Sequence, residues 1–204
     1  MPGGFFVAYL DALCDTKQPT RGLAMNTDQH SQDLAAQLER DALESLRRGP
    51  DVRQNSERTN RILSLLVLPA FEDRQAYYLD ARPDSKMVVC SRVTWSATTD
   101  LPQVFDPIQT VAARQKTPRP TLLEEQAIVP EEFAGKVRKL INETALPLDP
   151  APGTFGTDGV NYELRVGELF HSVVYRWWVN PPSRWASLSQ VANEVIETVV
   201  KALE

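Results

Sequence analysis

Histidine, cysteine and glycine are scarce in this chain, and each shortage removes a class of chemistry. Among 204 residues there are two cysteines and two histidines. Cys14 and Cys90 form no CxxC pair. With His30 and His171 they cannot build a structural zinc site, which needs four Cys or His ligands in short pairs. A single Cys14–Cys90 disulfide stays open, but idle thiols in a reducing compartment are the expectation. The nine glycines are scattered, and no GxGxxG, no phosphate loop ending in Lys-Ser/Thr, no GxSxG elbow and no HExxH helix is present. The sequence therefore predicts no cofactor, no metal and no recognisable catalytic set.

An excess of basic residues is also missing. Lys and Arg number 22 against 27 acids, a formal charge of -5, whereas a dedicated nucleic-acid binder carries a basic stripe that displaces counterions from phosphates. No nucleic-acid partner is expected, and an anionic membrane surface is disfavoured. No apolar run approaches the ~18 residues of a membrane helix. What remains is an ordinary globular composition, 42% apolar and 24% charged. A chain of this length buries about 70% of its surface on folding and needs no staple.

The first residues require separate treatment. Phe5 to Leu10 form an apolar stretch ahead of Cys14, which invites a signal-peptide or lipoprotein reading. The basic region such a signal needs is missing, since the first lysine is Lys17, so a cytoplasmic location is expected and a periplasmic or lipid-anchored one is the weaker alternative. Residues 1–24 are expected to be a loosely ordered arm, and residues 25–204 a single α+β domain.

Periodicity supplies the elements of that domain. Asn26, Thr27 and Asp28 offer capping oxygens to a helix whose apolar stripe is Leu34, Ala35, Leu38, Ala42 and Leu46, stopped by Gly49-Pro50. Ile62 to Leu68, Gln75 to Ala81 and Lys86 to Trp95 predict a three-strand meander, with turn chemistry at Pro83-Asp84-Ser85. Alternation in the third strand puts Met87, Val89, Ser91, Val93 and Trp95 on one side and Val88, Cys90, Arg92 and Thr94 on the other, so both faces are expected to be partly covered. A short helix is expected from Asp106-Pro107 to Gln115, and another from Pro130 through Ile141. Val160 to Val166 and Phe170 to Val179 predict a hairpin, and Ser183 to Leu203 a last helix burying Trp185, Leu188, Val191, Ala192, Val195 and Val199. The expected order is α-β-β-β-α-α-β-β-α, an antiparallel sheet of about five strands carrying helices mainly on one face.

Several charged groups invite functional readings with a plainer reading beside each. Asp80, Asp84 and Lys86 resemble an acid-acid-lysine nuclease set, but their spacing is wrong and an acidic turn explains them. Glu124 with Glu125, and Glu131 with Glu132, supply carboxylate pairs for acid–base work, although a solvated face and a helix N-terminus account for them. His171 lacks an assignable orienting partner or nucleophile, and reads as a structural or rim histidine.

The aromatic cluster is the most distinctive feature. Tyr175-Arg176-Trp177-Trp178 followed by Pro181-Pro182-Ser183-Arg184-Trp185 places three of the four tryptophans within nine residues. Strand alternation sends Tyr175 and Trp177 to one face and Arg176 and Trp178 to the other. Two readings stand side by side: core packing with arginine stacked on indole, or a recognition surface, because Trp, Tyr and Arg dominate interface energies. Tyr175, Arg176, Trp178, Arg184 and Trp185 are the candidate partner-binding residues.

Asp158-Gly159-x-x-Tyr162-Glu163-Leu164, then Tyr175-Arg176-Trp177-Trp178-x-x-Pro181-Pro182-x-x-Trp185 and a terminal helix, resembles the C-terminal module of uncharacterised small bacterial proteins, some of them similar to immunity proteins of contact-dependent toxin systems. The resemblance covers about the last 50 residues and implies no catalytic group. Element order alone is similar to that of type III secretion chaperones, and fold analogy of that kind does not establish function. The resulting expectation is a non-enzymatic protein-binding domain of immunity type that neutralises a partner toxin, the acidic balance suiting a basic one. A chaperone-like adaptor for an extended segment, with a homodimer as its corollary, and an enzyme with an unrecognised site are the alternatives.

Overall fold

The structure, a computed structural model, describes residues 24–50, 59–83, 85–105, 118–144, 159–167, 171–179, 181 and 183–204, with side chains in the first helix described from Gln29 onward. Its elements are α1 (Ala24–Arg48), β1 (Asn60–Pro69), β2 (Arg74–Arg82), β3 (Met87–Trp95), α2 (Ala97–Val104), β4 (Leu122–Pro130), a 3₁₀ turn (Glu131–Ala134) leading into α3 (Gly135–Glu143), β5 (Val160–Val166), β6 (Val173–Trp178) and a second 3₁₀ turn (Ser183–Trp185) leading into α4 (Ala186–Leu203). The strands form one antiparallel sheet in the order β4-β3-β2-β1-β5-β6. The fold class is thus the expected α+β one built on an antiparallel sheet.

Three details differ from the sequence expectation. The sheet has a sixth strand, β4, formed where Glu124 and Glu125 sit. A helix not foreseen, α2, follows β3 directly, whereas the helix expected over 106–115 lies outside the described residues. Helices cover both faces rather than mainly one. Leu63, Leu65, Tyr77, Leu79, Val88, Cys90 and Leu164 pack with the stripes of α3 and α4, while Leu66, Ala76, Tyr78, Val93 and Trp95 pack with Leu38, Ala42 and Leu46 of α1 and Ala97 of α2. The reason is visible in β3, where both alternating sets contain buried apolar residues, Val89, Val93 and Trp95 on one face and Val88 and Cys90 on the other. Each set needs its own cover, because fully burying an aliphatic side chain is worth about 1.5–3 kcal/mol.

The expected arm, residues 1–24, lies outside the described residues except for Ala24, where α1 begins. Asn26, Thr27 and Asp28 therefore belong to the first turns of the helix instead of capping it. The other end is tied to the sheet. Gly49 adopts φ +73 and its N–H donates to the Ser45 carbonyl at 3.0 Å. A Cβ at that position would come within 2.7 Å of the Tyr78 ring, so both conformation and space require glycine. The Tyr78 hydroxyl donates to the Leu46 carbonyl, and Arg61 Nη1 to the Arg48 carbonyl at 3.1 Å. Sheet side chains thus satisfy carbonyls that a helix end leaves orphaned.

Asp100, buried in α2, accepts from Trp95 Nε1 at 2.8 Å and from the Thr121 backbone N–H at 2.7 Å. Asp73 caps α2 by accepting from the Thr98 N–H and hydroxyl. These two carboxylates pin α2 and the start of β4 to the end of the meander. Among the described residues no helix is long and apolar enough to cross a membrane.

Candidate partner-binding surface

The hairpin partners β5 and β6 are in register with Tyr162 opposite Trp177, Leu164 opposite Tyr175, Glu163 opposite Arg176 and Asn161 opposite Trp178. Successive side chains on a strand point to opposite faces, so this register sorts the aromatic cluster into two environments.

Tyr175, Trp177 and Trp185 go inward, beneath α4. Tyr162 stacks on Trp177 with centroids 5.3 Å apart, and Tyr175 meets Trp185 edge-on at 6.1 Å, geometries favoured by the ring quadrupoles. All three inward residues are buried in the main core. Among the described residues the indole N–H groups of Trp177 and Trp185 have no acceptor, so packing holds these rings. Tyr175 and Trp185 are core residues and are withdrawn from the surface where partner binding was expected. Alternation already sets Tyr175 apart from Arg176 and Trp178, and the helix α4 covers the face it points to. Arg184 lies in the 3₁₀ turn that delivers Trp185 to the core, and its side chain is outside the described residues.

Arg176 and Trp178 point to the other face, beside the C-terminal end of α1. Glu163 is their centre: it is 3% exposed, accepting from Arg176 Nε at 2.8 Å and from Arg47 Nη2 at 3.1 Å and Nε at 3.3 Å. Burial alone would push its carboxyl up. Hydrogen bonds from Arg176 and Arg47, with the charges behind them, outweigh burial and hold it below the ordinary glutamate value. Two arginines around one carboxylate leave a net positive charge, and both stay partly in solvent, Arg176 at 66% and Arg47 at 42% side-chain exposure. Arg176 reaches Glu163 through its Nε–H, and its side chain stays largely exposed. Arg165 stands on the same face of β5 as Glu163.

Trp178 is half-buried at the rim of this patch. Gly159, at φ +146, makes room for it: a Cβ there would fall 2.5 Å from Trp178 Cζ2. The surface therefore pairs an indole with outward-facing guanidinium groups on a sheet face adjoining α1, whose own packing is against β1, β2 and β3. Glu163 was legible only as part of a motif, and its role follows from the register with Arg176. Arg47 has no local signal, being 116 residues away along the chain.

The other charged candidates resolve into separate structural roles. Asp80 is buried and held by Arg61 at 2.9 Å, with the guanidinium over the Tyr78 ring; Asp84 is outside the described residues. Glu124 is exposed, whereas Glu125 turns to the opposite face and is bound by Arg92 at 2.6 Å. They do not form a carboxylate couple. His171 precedes β6 and is exposed, as is His30. Cys90 is a free, buried thiol, pushed up to about 11 by burial, which leaves little reactive thiolate. An open cleft of about 410 Å³ lies at the β2–β3 turn, lined by Arg82, Lys86, Glu131 and Arg138 among others. Arg138 is engaged with Glu131, and the cleft shares no residue with the Glu163 cluster. No family model matches the chain, nor does any curated protein or solved structure.

Proposed function

We propose that this chain is a non-enzymatic protein-binding domain of immunity type, one that binds and neutralises a partner bacterial toxin, and that it acts in the cytoplasm. The observation that carries the reading is the placement of Arg176 and Trp178 on the sheet face beside α1, with Glu163 fixing the arginine. Interfaces draw most of their energy from a few Trp, Tyr and Arg side chains that a partner can desolvate. Preorganisation by Glu163 lowers the ordering cost of the long arginine.

The charge of this patch refines the expected partner. The whole chain is acidic, which steers a basic protein toward it at long range. Arg47, Arg165 and Arg176 make the patch itself basic, so the segment docking against Trp178 carries acidic or polar groups. A second reading, an adaptor for an extended segment, draws support from β6, an edge strand of the sheet next to the same residues. A segment adding to that edge would lie alongside Arg176 and Trp178.

Calorimetry with the toxin encoded beside this chain's gene tests the reading. Arg176→Ala and Trp178→Ala are expected to weaken binding by roughly tenfold or more each, with circular dichroism unchanged. Affinity that survives both substitutions would remove this surface from the interface. Absence of any toxin beside the gene that binds would remove the immunity reading itself.

A further inference from the structure

The two edges of the sheet differ in length and protection. β6 spans six residues. β4 spans nine, keeps an unbroken register with β3, has no proline before its last residue and contains no lysine or arginine. It also exposes Leu122, Leu123 and Ile128. Natural edge strands are blunted by shortness, bulges, proline or inward charge, because an open row of N–H and C=O groups is a template for another strand.

We infer that the β4 edge pairs antiparallel with β4 of a second copy of this chain, joining two sheets across a two-fold axis at Glu125. The pattern of the strand is complementary to itself about that residue. Leu122 meets Ile128 of the second copy on the α1 side, and Leu123 meets Ala127 on the α4 side. Glu124 meets Gln126, whose amide already donates to Glu124 within one strand at 2.5 Å. The one like-charged meeting is Glu125 with its counterpart, which would ordinarily oppose pairing. Each Glu125 is already neutralised by Arg92 through Nε at 2.7 Å and Nη2 at 2.6 Å, so the axis carries two compensated pairs.

Neighbouring registers fit worse. Centring on Gln126 sets Glu124 against Ile128, and centring on Glu124 sets Leu123 against Glu125. Register follows the apolar pattern wherever a face is buried, and an isologous contact closes on itself, leaving no further β4 edge open. This inference rests on β4 and is independent of the Arg176–Trp178 surface.

Sedimentation equilibrium of the full chain over a dilution series is expected to return a dimer. Leu122→Lys with Ile128→Lys should lower the dimer affinity by roughly tenfold or more without changing circular dichroism, since both side chains are exposed. In a Cys14→Ser background, Glu125→Cys should form a disulfide-linked dimer, because directly opposed residues lie about 4.5–5.5 Å apart at Cα, within disulfide reach. Gln126→Cys should not. A monomer at every concentration, a dimer indifferent to the lysines, or cross-linking at position 126 instead of 125 overturns the inference.

Discussion

On the face under α3 and α4, β6 contributes Tyr175 and Trp177 to a core closed by Trp185, Leu188, Val191 and Val195. On the opposite face the same strand contributes Arg176 and Trp178, and charge takes over much of the work. Asp80 with Arg61, Glu163 with Arg47 and Arg176, and Glu39 with Arg74 lie along that face, beside a smaller apolar cluster under α1. Arg74 also covers the Trp95 ring at 4.9 Å. One aromatic run thus serves two ends. Its inward members are held by area removed from water, whereas outward Arg176 is positioned by a buried carboxylate and outward Trp178 is only half-buried beside Gly159.

Adjacent tryptophans test this contrast most strongly. Trp177→Ala is expected to cost about 3–5 kcal/mol in denaturant unfolding, the loss typical of a buried indole. Trp178→Ala should cost only ~1–2 kcal/mol, in keeping with partial burial. Equal losses would break the division between the faces.

A double-mutant cycle on the charged face comes next in size. Arg47→Ala or Arg176→Ala alone leaves Glu163 with one partner, and each should cost ~1 kcal/mol. Removing both strands a buried carboxylate, and about 3 kcal/mol is expected. The excess over additivity is the signature of a shared partner, and strict additivity would mean that Glu163 does not unite the two arginines.

The smallest effect is on acid stability. Glu163 ionises more readily folded than unfolded, so its contribution is fully present above its ordinary value of 4.5 and is lost as pH falls through its lower folded value. Glu163→Gln should flatten that part of the acid limb in thermal melts. An acid limb unchanged by the substitution would show that the arginines do not favour the charged form.

Much of the fold was legible because period and punctuation agreed. The α1 stripe, the meander, the β5 span and the buried positions of α4 all follow from apolar spacing bounded by Gly49-Pro50, Pro69 and Pro83. β4 was hidden because its alternation is weak: Glu124, Glu125 and Gln126 fill its middle, as suits an edge strand with little to bury. α2 was hidden because Pro102 inside it argues against a helix, and its anchors, Asp73 and Asp100, act through contacts distant in sequence. In the candidate surface, alternation alone separated Arg176 and Trp178 from Tyr175 and Trp177. It could not place Trp185, which reaches the core through a turn.

An acidic α+β chain with an antiparallel sheet and an aromatic run split by strand parity can be read from the residues alone, because periods of 2 and 3.6 are local properties of the backbone. Tertiary structure decided what those faces meet. It brought Arg47 across to Glu163, set two helices on each side of the sheet and left β4 at an edge, since strand order and helix docking depend on contacts between segments that no local pattern encodes.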